Sequence, residues 1–182
     1  MKPRTAKVFI GAMVVLAVQC VLAQPTREDT LRYNDHLPNY FPLNRKNFVR
    51  VSSGYGYRLH PVHGKVKKHK GIDLVAKKGS AVHASASGSV KEVGFDKGYG
   101  NYVLLKHQGM TKTLYGHLLY FFVKKGDKVA KGQLIGAVGD SGWVTGPHLH
   151  YEIWIHNKRI DPMFFWNSTV IKNSIGNSIV TK

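Results

Sequence analysis

The chain has a single cysteine, Cys20, in 182 residues, and only 10 acids against 27 lysines and arginines. One thiol cannot close an internal disulfide, so a packed apolar core has to hold the fold together. The shortage of acid leaves a formal charge of +17, which favours contact with polyanions. Long apolar runs are missing too. The one candidate, Val8 to Val18, is too short to span a bilayer comfortably. No stretch carries a sustained helical stripe of apolar residues, which argues against a helical bundle.

The N-terminus is basic, with Lys2, Arg4 and Lys7 ahead of that apolar run, and this order reads as an export signal. Val21-Leu22-Ala23 offers a cleavage site, giving a signal peptide over 1–23 and a mature chain from Gln24. An uncleaved anchor is the alternative; a lipoprotein at Cys20 is disfavoured because Gln19 stands where such signals need a small residue. Cleavage would leave no cysteine and one domain's worth of chain. An exported cation meets anionic phospholipid, lipopolysaccharide phosphate, teichoic acid and the wall, so the expected location is periplasm, cell envelope or outside. Export argues against nucleic acid as a partner. The pairs Lys67-Lys68, Lys77-Lys78 and Lys124-Lys125 are scattered and read as a solvated cationic surface.

Residues 24–48 are polar, with Pro25, Pro38 and Pro42, and read as an arm or linker that needs docking to become ordered. From Val49 to about Asp161, short β-branched and aromatic runs alternate with glycine turns, the pattern of an all-β domain. Strands are expected at Ala81–Ala84, Ser89–Val93, Tyr102–Lys106, Lys112–His117, Gln133–Val138 and His148–Ile155. Phe164, Phe165 and Trp166 should pack and close the domain at about 166, leaving 167–182 as a polar tail.

Five residues in three short segments carry the chemistry: His69, Asp73, His117, His148 and His150. Along the run His148–Ile155, Leu149, Tyr151, Ile153 and Ile155 point one way and His148, His150, Glu152 and Trp154 the other. Two imidazoles therefore share one face, and periodicity does not say which of them binds and which stays free. In a fully extended strand His69 and Asp73 would lie about 13 Å apart, so the backbone must bend between them, and Gly71 is where it can. Zinc accepts imidazole nitrogen and carboxylate oxygen, and a hydrolytic zinc keeps three protein ligands so that water takes the fourth place. His69, Asp73 and one of His148 and His150 would supply that set. His117, at the end of its run, could lie beside them. His36, His63, His83, His107 and His156 read as incidental.

The motifs Gly54-Tyr55-Gly56-Tyr57-Arg58-Leu59-His60-Pro61, His69-Lys70-Gly71-Ile72-Asp73-Leu74, Gly98-Tyr99-Gly100-Asn101, Tyr115-Gly116-His117-Leu118, Gly126-Asp127-Lys128-Val129-Ala130-Lys131-Gly132-Gln133 and Thr145-Gly146-Pro147-His148-Leu149-His150-Tyr151-Glu152 together resemble the lysostaphin-type zinc metalloendopeptidases. These enzymes cut stem peptides or cross-bridges in bacterial peptidoglycan. The resemblance covers about Val49 to Pro162. It implies a mainly β fold, with antiparallel sheets in a barrel-sandwich-like arrangement and a groove whose floor carries zinc. It further implies that His69, Asp73 and His150 are the Zn2+ ligands and that His117 and His148 are unligated catalytic histidines. All five positions are filled, unlike in degenerate homologues of that family that activate amidases.

With no His-Glu-x-x-His helix to provide a glutamate, the base should be an imidazole, whose ordinary pKa near 6.5 suits neutral pH. His117 and His148 would share base, acid and oxyanion-stabilising roles. Glu152 is either a partner that orients an imidazole or a surface carboxylate. His60, Tyr99 and Asn101 are candidate substrate contacts, with Tyr55, Tyr57 and Trp143 as further groove or loop-anchor residues. The rival reading is a non-catalytic wall-binding or amidase-activating module of the same fold. A likeness of residues 123–133 to biotinyl carrier domains reflects a shared hairpin.

Overall fold

The computed structural model describes residues 26–59 and 66–167. The expected export signal, its cleavage site, His60 and His63 lie outside the described residues, as does the tail beyond Asn167. The chain divides into two units, Met1–Asn34 and Asp35–Lys182. Helix α1 (Arg27–His36) starts in the first, where Thr26 Oγ1 accepts the Asp29 N–H at 3.1 Å and so caps a free amide of the first turn.

The second unit is mainly β, with antiparallel pairing throughout, as the glycine-punctuated pattern predicts. Its strands are β1 (Phe48–Ser53), β2 (Gly56–Leu59), β3 (Val66–His69), β4 (Ile72–Ala76), β5 (Ala81–His83), β6 (Gly88–Asp96), β7 (Gly100–Lys106), β8 (Thr111–Phe121), β9 (Lys128–Val129), β10 (Leu134–Val138), β11 (His148–Ile155) and β12 (Lys158–Ile160), followed by helix α2 (Pro162–Asn167). The main sheet runs β1-β4-β11-β8-β7-β6-β9, with β10 joining β8 to β5 and β12 beside β11, while β2 and β3 form a separate hairpin.

All six expected strands are present, β8 extending four residues past its expected end at His117. The core beneath the sheet is built from the alternate residues of its central strands. Leu74, Leu105, Leu118, Leu149, Tyr151 and Ile153 are all fully enclosed. Trp166 of α2 stacks on Tyr151 with centroids 5.3 Å apart and donates its indole N–H to the Pro38 carbonyl at 3.1 Å. Such an aromatic pair contributes on the order of 1 kcal/mol beyond area burial.

That bond is part of how the segment ahead of β1 docks. Tyr40 N–H reaches Ser85 O, Pro42 O accepts the His83 N–H, and Leu43 is buried in the core. Residues 37–43 thus lie along β5 and α2, and none of them lines the groove described below. No helix among the described residues is long and apolar enough to cross a membrane.

Candidate metal centre

Strand β11 lies between β4 and β8, and its residue His150 is in register with Asp73 on one side and Gly116 on the other. Cross-strand partners lie about 5 Å apart at Cα with side chains on a common face, so the sheet itself brings the Asp73 carboxylate to the His150 imidazole. His69 arrives from the end of β3. Between it and β4 the chain passes Gly71, where a Cβ would sit 2.2 Å from the Tyr151 carbonyl oxygen and 2.9 Å from Glu152 Cγ. Glycine is required there for room against β11; a left-handed backbone, the reason the spacing suggests, is not what Gly71 adopts.

Three ligand atoms converge. Asp73 Oδ1 is 2.9 Å from His150 Nδ1 and 3.1 Å from His69 Nε2, and those two nitrogens are 3.1 Å apart. A tetrahedral zinc with bonds of about 2.0 Å has ligand–ligand edges of about 3.3 Å, so the triangle needs only a slight opening to admit the ion. The orientation of each ring also suits a metal. His69 Nδ1–H donates to Gly54 O at 2.7 Å, leaving Nε2 facing inward. His150 does the reverse, its Nε2 lying 3.2 Å from Glu152 Oε1 and its Nδ1 turned to the site. A carboxylate behind a histidine fixes the tautomer and strengthens the ligand.

Glu152 has no exposed surface, and four donors surround it. Oε1 receives the Tyr99 hydroxyl at 2.9 Å as well as His150, and Oε2 receives Trp154 Nε1 at 2.6 Å and Arg159 Nε at 2.8 Å. Of the two readings open for Glu152, the enclosed partner of His150 is the one the structure shows. Arg159 in turn lies over the Trp154 ring at 4.0 Å.

The electrostatics follow from this packing. Burial alone would raise the Asp73 pKa, but hydrogen bonds from His150 and His69 outweigh it and hold the carboxyl far below its ordinary range. Burial likewise disfavours a charged His150, yet the bonds to Asp73 and Glu152 dominate and lift its pKa to about 9 in the metal-free chain. A proton therefore competes with a metal for Nδ1.

Two further imidazoles stand alongside. His117 lies within β8, not at a strand end, and its φ of 58° breaks the regular strand there. Its amide donates to Tyr99 O at 2.6 Å, and its Nδ1–H donates to Ser141 O at 2.8 Å. His148 is held in the same way, Nδ1–H to Gly146 O at 2.8 Å. Both rings thereby keep a free Nε2; that of His148 is 3.7 Å from Asp73 Oδ1, and the two ring centroids are 4.7 Å apart. Burial, then repulsion from His150 and His148, lowers the His117 pKa to about 4, which keeps this ring neutral near pH 7.

All five residues line one groove of about 510 Å³, together with Arg58, Lys67, Lys68, Lys70, Tyr99, Trp143 and Thr145 among others. The model of Peptidase family M23 matches residues 67–162, more than half of the chain. The chain belongs to peptidase family M23.

Among M23 relatives, a DD-carboxypeptidase/endopeptidase of Neisseria meningitidis is 43% identical over 116 residues, 64% of this chain and 27% of that protein. A peptidoglycan DD-endopeptidase of Vibrio cholerae is 38% identical over 141 residues, covering 71% of this chain and 33% of that one. The chain thus spans only about a quarter to a third of the length of these curated relatives. Of the solved structures, a zinc-containing peptidase from Vibrio cholerae aligns with TM-score 0.63 and 37% identity over 68% of this chain and 38% of that one. The catalytic domain of lysostaphin from Staphylococcus simulans aligns with TM-score 0.59 and 34% identity, over 65% of this chain and 92% of that domain. The lysostaphin-type resemblance read from the motifs is borne out.

The other sequence candidates are placed as follows. Tyr99 lines the groove, its hydroxyl bonded to Glu152 and within 3.3 Å of Arg159. Asn101 spends both side-chain N–H groups on the carbonyls of Leu118 and Leu119 and is not among the described lining residues, which gives it the task of bracing β7 against β8. Tyr55 bonds Arg159 O, away from the groove lining. Arg58 was not singled out by sequence reasoning; its guanidinium is 3.6 Å from Asp73 Oδ2, and alternation along a short, polar hairpin offered no signal for it.

Proposed function

We propose that this chain is an exported zinc metalloendopeptidase that hydrolyses peptide bonds of bacterial peptidoglycan. The observation that carries the reading is the pairing of two kinds of imidazole in one groove: His69 Nε2 and His150 Nδ1 converge on the Asp73 oxygen, while His117 and His148 turn Nε2 into the groove beside them. The relatives named as DD-endopeptidases favour a DD-peptide bond of the wall as the one cut. Export and an envelope location rest on the N-terminal pattern of a basic start and a short apolar run.

His69, Asp73 and His150 would hold the ion. Zinc in this place supplies a Lewis acid for the scissile carbonyl and lowers the pKa of a water toward about 7. His117, kept neutral, presents Nε2 as an acceptor for the proton of attacking water. His148, its own Nδ1 pinned to Gly146, offers a second Nε2 to stabilise developing negative charge or return a proton to the leaving amine. The backbone carbonyls of Ser141 and Gly146 fix both rings before substrate arrives, so little reorganisation remains during reaction.

The test uses purified protein and wall sacculi. It should bind one zinc and release peptide ends, and His117→Ala or His148→Ala should keep the zinc while cleavage falls at least about 100-fold. Zinc-replete variants that cut at the wild-type rate would remove these histidines from the chemistry. Zinc binding and wall binding without any released fragments would favour the non-catalytic module.

A further inference from the structure

Two unlike segments line the groove: Trp143-Val144-Thr145 ahead of β11, and a basic flank of Arg58, Lys67, Lys68 and Lys70 from β2, β3 and the bend after them. Of the three acids lining the same groove, Asp73 alone makes an ion pair with this basic flank, its Oδ2 3.6 Å from the Arg58 guanidinium. Asp96 Oδ1 accepts the amides of Gly98 and Tyr99, Glu152 is enclosed by its four donors, and Asp73 lies among the histidines. No ion pair among the described residues reaches Lys67, Lys68 or Lys70.

Within the basic flank, Arg58 and Lys67 are directly opposite each other in the β2–β3 hairpin. Like charges in that position repel and destabilise the pair, and a two-stranded hairpin has little stability to spare. Arg58 Nε is buried with no hydrogen-bond partner. The like-charge pair is a cost that an anion placed between the two side chains would relieve. Alternation along β3 puts Lys67 on the same face as His69, two residues on, about 6.6 Å away at Cα. That spacing equals two residues of an extended peptide lying in the groove.

Building on the endopeptidase reading, we propose that Arg58 and Lys67 form a clamp for a free carboxylate of the substrate peptide, carried about two residues from the scissile bond. The groove then selects peptides bearing such a carboxylate over neutral ones of the same length. A guanidinium offers the planar fork that a carboxylate matches, and the ammonium opposite adds a point charge. Lys68 and Lys70 extend the positive field along the flank and attract the peptide from a distance.

Binding is measured by calorimetry on the zinc-loaded full chain, in a His148→Ala background, with a cross-linked wall stem peptide carrying its free carboxylates and with its carboxamide analogue. The carboxylate form should bind about tenfold more tightly, with the preference shrinking as salt rises. Lys67→Gln should cut the preference to threefold or less, and Lys67→Arg should restore it. Equal affinity for the two peptides, no measurable binding of the carboxylate peptide at millimolar concentration, or full preference in Lys67→Gln would overturn the clamp. Because the readout is binding, the two readings separate: preference without any cleavage by the wild-type chain rejects the endopeptidase alone, and cleavage without preference rejects the clamp alone.

Discussion

Replacing Glu152 by glutamine isolates the device behind His150, one of the three candidate metal ligands. The change keeps shape and volume but turns one acceptor oxygen into an N–H donor in a site where four donors converge. If the remaining oxygen faces Trp154 and Arg159, the new amide meets His150 Nε2. That contact favours the other tautomer, with the proton on Nδ1, and removes the lone pair a metal needs. Partners of this kind change metal affinity by about 10–100-fold, or about 1.4–2.7 kcal/mol. Loss of the charge beside Arg159 adds to this. A fully buried broken pair costs about 3–5 kcal/mol, and since Arg159 is 27% exposed the stability cost should be smaller, about 2 kcal/mol. Zinc affinity measured by chelator competition should fall at least tenfold in Glu152→Gln, and thermal unfolding of the metal-free protein should shift down by several degrees. A variant whose zinc affinity stays within twofold of wild type would refute this role of Glu152 in setting the His150 tautomer.

Further predictions concern protons and packing. Because Asp73 and Glu152 raise the His150 pKa to about 9 in the metal-free chain, zinc binding at pH 7.5 should release close to one proton, falling toward zero above pH 9; calorimetry in buffers of different ionisation enthalpy counts it, and no release at pH 7.5 contradicts the coupling. His107 is buried, bonded to Ser87 O and to Thr113 Oγ1, and burial lowers its pKa to about 4 from 6.5. The unfolded chain therefore binds the extra proton between pH 6.5 and 4, so stability is present above 6.5 and lost as pH falls through that window, by up to about 3 kcal/mol. Denaturant unfolding of wild type and His107→Gln should show that share of the acid slope vanish in the variant, and parallel slopes would exclude it. Gly71→Ala should lower stability by about 3 kcal/mol or more, since its Cβ would strike the Tyr151 carbonyl; an unchanged melting temperature would mean that β4 and β11 can separate at little cost.

Period two along His148–Ile155 was enough to place two imidazoles and Glu152 on one face, and the observed burial of Leu149, Tyr151 and Ile153 agrees. The hairpin of β2 and β3 was not legible, because Val66-Lys67-Lys68-His69 has no apolar alternation and is formed by pairing with β2 alone. Strand β4 was half hidden for a related reason: Asp73 interrupts the apolar run Ile72-Asp73-Leu74, and a buried acid looks like a loop residue until its partners are known. His117 was assigned to a strand end because Gly116 precedes it; the chain instead continues to Phe121 through a local left-handed kink. The four donors to Glu152 come from three places in the chain, and His150 and Trp154 share its strand face by period. Tyr99 and Arg159 reach it through tertiary packing that no local pattern encodes.

His69 and His150 are 81 residues apart, and the carboxylate between them lies on a strand that meets β11 only in the finished sheet. A cut in any surface turn that let β4 part from β11 would therefore scatter the three candidate ligands while leaving each side chain chemically intact. Loss of chelation would report that separation sooner than loss of secondary structure, so an ion held there would serve as a sensor of whether the sheet is closed.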